Sequence, residues 1–318
     1  MSLKMNNIPF TGQFKIKNKF ANIIDKPNIY VGEYTNSGTI YKFDNDNNEL
    51  WTFNNHTGSI SGLAKDNSHL YSVSYGDDTA KKIDTNGNEI WTFTENTSPR
   101  CICVDPNGNS YNGGVYIFKL DSNGNKLWQS SYISNNCHSV CIDNNLNVYG
   151  GIGDGSIKKI DTNGNELWSY SIFNNITYIV RTDKQNNIYT GDSAGNLKKL
   201  DGDGNELWSV SPKHNDAIRF LALDNKGYIY TTSDDKTVKK NDGLGNTVWS
   251  FTTLGKNYSV YVDQVDNVYV TAMDFTDDNA YIYKLNSEGQ KIWRKDMLNN
   301  DIRYGLAIES GIYPIFWG

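Results

Sequence analysis

Apolar and polar positions alternate in short runs along almost the whole chain, and no segment shows a convincing 3.6-residue period. In "NELWSY", Trp168 and Tyr170 fall on one face of an extended strand while Leu167 and Ser169 fall on the other. The surrounding stretch, "KKIDTNGNELWSY" from Lys158 to Tyr170, recurs as "KKLDGDGNELWSV" from Lys198 to Val210 and as "KKIDTNGNEIWTF" from Lys81 to Phe93. Trp51, Trp91, Trp128, Trp168, Trp208, Trp249 and Trp293 follow turns of this kind, at spacings of 40, 37, 40, 40, 41 and 44 residues. A fixed period of this length signals stacked supersecondary units. Each unit divides into four short strands bounded by Gly, Asn or Asp, as "SVCID", "NVYGG", "SIKKID" and "ELWSY" do.

Four strands per unit predict an all-β fold, a β-propeller of four-stranded antiparallel blades in one domain spanning residues 1–318. The tryptophans count seven blades, but other columns count eight. First strands end in Asp25, Asp66, Asp105, Asp143, Asp183, Asp224, Asp263 and Glu309, and second strands carry tyrosines from Tyr30 to Tyr313. The expectation is therefore an eight-bladed propeller, in which residues 2–11 supply the strands that complete the C-terminal blade. Lys4 falls on a lysine column and Phe10 on the tryptophan column. Closure of this kind removes exposed sheet edges. The runner-up is seven blades with a C-terminal hairpin attached.

The Asp-x-x-Gly-x-x-x-Trp turn and strand, as in Asp84 to Trp91, resembles the repeat of the PQQ-like, quinoprotein-type β-propellers over nearly the whole chain. No Trp-Asp dipeptide closes a unit, so the WD-repeat resemblance is weaker. The resemblance implies the fold and leaves function open among dehydrogenases, assembly scaffolds and binding modules. The quinone enzymes of that superfamily hold their cofactor beside an adjacent Cys-Cys disulfide and a calcium site. This chain has no Cys-Cys pair and lacks the long insertions, so no cofactor is expected.

Composition narrows the partners. The 318 residues carry a net charge of −6, a poor match to nucleic acid, whose phosphates demand a basic face. No apolar run is long enough for a membrane span, and "MSLKMNNIPF" lacks a signal-peptide core. Cys101, Cys103, Cys137 and Cys141 do not make a secreted disulfide framework. A cytoplasmic or virion-associated protein is expected, with an unknown protein partner or a small polar ligand.

Several motifs carry competing readings. Turns such as "DTNGNE" resemble calcium loops but fit hairpin turns better, with Gly87, Gly124, Gly164 and Gly204 in the left-handed position. The third-strand lysines Lys42, Lys82, Lys119, Lys159, Lys199, Lys240 and Lys284 suggest an anion surface, or cross-strand partners for Glu49, Glu89, Glu166 and Glu206. The cysteines with His138 suggest zinc, or small apolar packing groups; packing is favoured, so no metal site is assigned. His56, His69, His138 and His214 are read as falling at different repeat positions, and nothing nominates a catalytic pair. The insertion from Ala272 to Ala280, with Asp274, Asp277 and Asp278, reads as a rim contact or a tolerated surface loop.

One column varies where the others agree. Five residues before each first-strand acid stand Phe20, Ser61, Arg100, His138, Tyr178, Arg219, Tyr258 and Tyr304. They open the innermost strands and should ring one mouth of the channel. Arg100, His138, Tyr178, Arg219, Tyr258 and Tyr304 are the candidate ligand-binding residues, suited to a sugar or an anion. Arg303 adjoins the column and Arg181 lies further along an inner strand. The favoured function is a non-enzymatic propeller acting as a rigid interaction or structural module, associated with a phage or other assembly. The alternatives are a sugar- or anion-binding propeller and a propeller lyase or hydrolase using the channel mouth.

Overall fold

The computed structural model describes residues 27–297, 301–303 and 305–309. Among these residues the chain forms seven four-stranded antiparallel sheets and no helix. In the fourth blade the order from the axis outward is Cys137–Ile142, Val148–Ile152, Ser156–Ile160 and Glu166–Ser171, consecutive strands pairing as hairpins. The other inner strands are Ile60–Lys65, Cys101–Val104, Thr177–Thr182, Ile218–Leu223, Lys256–Val262 and Gly305–Ile308. Each packs beside the next around the axis.

The expected eight blades are corrected to seven. Gly305–Ile308 does not begin a blade of its own but is the inner strand of the first, paired with Ile29–Gly32, which leads outward to Ile40–Phe43 and Glu49–Phe53. The reason lies in a buried hydrogen bond that every blade repeats. The second-strand tyrosine donates its phenol to the acid ending the first strand, as from Tyr149 to Asp143 at 3.1 Å and from Tyr230 to Asp224 at 3.1 Å. Tyr30 finds that acid in Glu309, at 3.3 Å, and Asn28 bonds the same carboxylate. The C-terminal strand therefore locks the ring at the first blade. Residues 2–11, Phe20, Asp25 and Tyr313 lie outside the described residues.

The repeated turn joins each blade to the next. Trp51 Nε1 and Lys42 Nζ both donate to the carbonyl of Thr85 in the second blade, at 3.1 and 2.9 Å. Trp91 and Lys82 do the same to Ser122 in the third, both at 3.1 Å. Gly87, at a φ of +89°, lies under the Trp51 ring, where a Cβ would come within 3.2 Å of Cδ2. Glycine is thus needed for both backbone and contact. The turn aspartates are occupied within their own loops: Asp84 accepts from the backbone of Asn86 and Asn88 and from the Asn88 amide, at 2.8 to 2.9 Å.

The lysine column is not the partner of the fourth-strand acids. Lys42, Lys82, Lys159, Lys240 and Lys284 bond the next blade, and the column lies over the tyrosines, as Lys159 over Tyr149 at 5.2 Å. The preceding lysine takes the acid instead, Lys158–Glu166 at 2.7 Å and Lys198–Glu206 at 2.8 Å. A bulge between the third and fourth strands sets Ile160 opposite Glu166, which moves the acid to the face of Lys158.

Candidate functional site

The inner strands enter the sheet with a second bulge. Their ladders to the second strands shift between Ile60 and Gly62, Cys137 and Ser139, Thr177 and Ile179, Ile218 and Phe220, and Asn257 and Ser259. The residues left out of register are Ser61, His138, Tyr178, Arg219 and Tyr258, members of the variable column. A bulge re-aims the side chain it carries. Here it lets consecutive positions of one strand face the axis, where Arg100, His138, Tyr178 and Arg219 line one cavity of about 250 Å3.

The remaining candidates fall differently. Tyr258 is 4 % exposed and lies behind Arg219, whose guanidinium carbon is 5.8 Å from its ring. Tyr304 lies outside the described residues. Arg181 also lines the cavity, below the bulged residues. It faces the axis from the position of Cys103, Cys141 and Tyr261, each paired across the ladder with its second-strand tyrosine.

Around the mouth, cations and rings alternate. Tyr34 stacks on Tyr75 with centroids 6.0 Å apart, and Arg100 lies 5.2 Å from the Tyr75 ring. His138 meets Tyr178 edge to face at 5.6 Å, and Arg219 lies 4.3 Å from Tyr178. Tyr258 meets Phe275, and Arg303 lies between Phe275 and Tyr34, at 5.3 and 4.5 Å. Tyr34, Tyr75 and Phe275 come from the connections between second and third strands, which share this face. The insertion from Ala272 to Ala280 is not a loose loop: it lengthens both strands into Val268–Asp274 and Asn279–Leu285 and lifts Phe275 to the rim.

The four arginines differ in their counter-charges. Arg219 forms a two-bond pair with Asp234, at 2.9 and 2.6 Å, and Lys256 shares that carboxylate at 3.2 Å. Arg303 pairs with Asp301. Among the described residues neither Arg100 nor Arg181 forms an ion pair, and the Nε–H of each is buried without a hydrogen-bond partner. Arg181 is 6 % exposed and donates through Nη1 to Ser139 Oγ at 3.1 Å and to the Val180 carbonyl at 2.8 Å, with Phe220 4.6 Å beneath it. Burial, reinforced by the charges of Arg100 and Arg219, lowers the His138 pKa to about 4, so the imidazole is neutral at pH 7.

Cys101 lines the cavity, and Cys103, Cys137 and Cys141 are buried in the apolar clusters around it. Burial holds the Cys103 and Cys137 thiols well above their ordinary range and pushes Cys141 up to about 12. Among the described residues no cluster of three or more His, Cys, Asp or Glu side chains is placed to hold a metal.

His56 and His214, read from sequence as unrelated, are equivalent. Each precedes an inner strand by four residues and bonds its own blade in the same way. His56 meets Ser72 through Nε2 at 2.8 Å and Asp77 through Nδ1 at 3.1 Å; His214 meets Thr231 at 2.8 Å and Asp235 at 3.2 Å. The hydroxyl–imidazole–carboxylate geometry is that of a nucleophile triad, but both histidine side chains are fully buried. They tie the blade entry to the second strand and its turn.

Among the described residues the fold is a seven-bladed propeller with a cavity at its axis. A PQQ-repeat family model, described as outer membrane protein assembly factor BamB, matches residues 153–303, so the PQQ-like resemblance stands. No curated protein matches the sequence. A computationally designed protein, Ika8, superposes with a TM-score of 0.68 at 18% identity, covering 90% of this chain and 91% of its own. The WD40 β-propeller domain of Doa1 gives 0.63 at 16% identity, covering 75% of this chain and 82% of its own. Likenesses at this identity concern the fold alone.

Proposed function

We propose that this protein is a non-enzymatic interaction module, a rigid ring whose partner or ligand docks at the mouth lined by Arg100, His138, Tyr178 and Arg219, with Tyr258 behind Arg219. The observation that carries the reading is the convergence of Arg100, His138, Tyr178 and Arg219 on one cavity in a chain whose net charge is −6. Elsewhere the repeat residues serve the fold: tyrosine, aspartate, lysine, glycine and tryptophan are engaged within or between blades. Among the described residues the lining of the cavity contains no carboxylate to act as acid or base, which favours binding over catalysis. Assembly factors among PQQ-like propellers offer an analogy for a role in a larger particle. The four free cysteines suit a reducing compartment or a virion assembled in one.

The test uses the labelled full chain on arrays of glycans and proteins, beside the double variant Arg100→Ala/His138→Ala. Neither residue bonds a buried carboxylate, so the variant should melt within a few degrees of the wild type and lose the spots that the wild type binds. Unchanged binding by the folded variant would move the docking surface elsewhere.

A further inference from the structure

The floor of the axial cavity holds a cation that the fold leaves uncompensated. Arg181 is 6 % exposed and among the described residues has no carboxylate partner. Ser139 and the Val180 carbonyl occupy Nη1, while Nε–H has no acceptor. The Nε side of the guanidinium is the edge that a carboxylate accepts from with two parallel bonds. Arg100 stands at the same cavity with its own Nε–H unsatisfied, and among the described residues no Asp or Glu lines the space. His138 at the same cavity is kept neutral, first by its burial and then by the charges of Arg100 and Arg219.

We infer that the axial cavity is an anion site in which Arg181 and Arg100 take the carboxylate of a small acidic ligand, of the size and kind of a sugar acid. The inference rests on the reading of the mouth as the docking face and names the chemistry that this face selects. Size follows from the cavity of about 250 Å3, which admits a single small ring and not a chain. The carboxylate follows from the planar guanidinium of Arg181, which lies over Phe220 at the cavity with its Nε–H unsatisfied. The sugar ring follows from the lining by Tyr178, Phe220 and Tyr261, whose faces and phenols suit a polar ring with apolar C–H edges. Neutral His138 adds one donor and one acceptor for hydroxyl groups without repelling the arginines.

The test is thermal melting and titration calorimetry of the full chain with sodium glucuronate, glucose and sodium sulfate, at ionic strength matched with chloride. Glucuronate should raise the wild-type melting temperature by roughly 3 °C at about ten times its Kd, while glucose and sulfate leave it unmoved. Arg181→Met should remove that shift and melt in chloride alone at or above the wild type, because it deletes an uncompensated buried charge. Should that variant not fold, Arg181→Gln answers the same question. No glucuronate shift, together with a lower melting temperature for Arg181→Met in chloride, would make Arg181 a structural plug and overturn the inference. An equal shift with sulfate would overturn the carboxylate assignment. If array binding is lost in Arg100→Ala/His138→Ala while glucuronate has no effect on the wild type, the docking reading stands and the acidic-ligand inference alone fails.

Discussion

At the scale of single residues, burial decides which polar groups hold the fold and which are available to a ligand. His56 has partners on both ring nitrogens and a side chain closed to solvent, so His56→Ala should strand Ser72 and remove one of the donors to Asp77. A loss of about 2 kcal/mol is expected in urea unfolding, with mouth binding unchanged. Histidine also sets a pH dependence. Burial lowers the pKa values of His56 and His214 and brings His138 to about 4 against an ordinary 6.5. Unfolded chains therefore bind protons that the folded chain refuses, and stability should fall as pH drops from 6.5 towards 4. His138→Gln should flatten part of that slope in melts taken across this range; an unchanged slope would remove His138 from the account. Arg100, His138, Tyr178 and Arg219 were legible because their column varies inside a regular repeat. Tyr34, Tyr75 and Phe275 were not, because they sit in turns of unequal length that no column aligns.

Strands and turns were the most legible elements, since alternation and the Asp-x-x-Gly turn are local properties. Bulges were not legible, and they account for the misassigned lysines. A bulge changes which of two adjacent side chains faces a partner, and nothing in the run Lys158-Lys159 announces it. The two lysines consequently differ in worth. Lys159 donates to the Gly202 carbonyl of the next blade at 2.8 Å and lies over Tyr149, whereas Lys158 makes an ion pair whose members are 21% and 44% exposed. Lys159→Met should cost about 1–2 kcal/mol in urea unfolding through the lost interblade bond and ring contact. Lys158→Met should cost less than about 1 kcal/mol, as exposed pairs do. Equal costs would deny the lysine column its role between blades. The bulges at the inner strands have the opposite value to the reader of a sequence: they place the variable column at the mouth, which repeat position suggested without showing the mechanism.

For the whole molecule, the blade count failed because columns count strands and not their pairings. Two acids, Asp25 and Glu309, end first-strand patterns at the two ends of the chain, and only the ladder shows that Glu309 serves Tyr30. That pairing spans nearly the full sequence, so no local signal could reveal it. It also gives the ring its seam, because Gly305–Ile308 packs on the inner strands of both neighbouring blades, Ile60–Lys65 and Lys256–Val262. A chain ending at Asn300 should therefore lose more than four residues of ladder. The backbone of Ile29–Gly32 becomes an open edge, Tyr30 loses its acceptor, and the rim loses Arg303, which links Phe275 to Tyr34. The truncated chain should melt far below the full one, aggregate on warming, and fail to bind at the mouth even though Arg100, His138, Tyr178 and Arg219 are all present. A peptide spanning residues 301–312, added in excess, should restore part of both properties by re-forming the inner strand. A truncated chain that melts and binds like the full protein would show that the C-terminal strand does not close the ring.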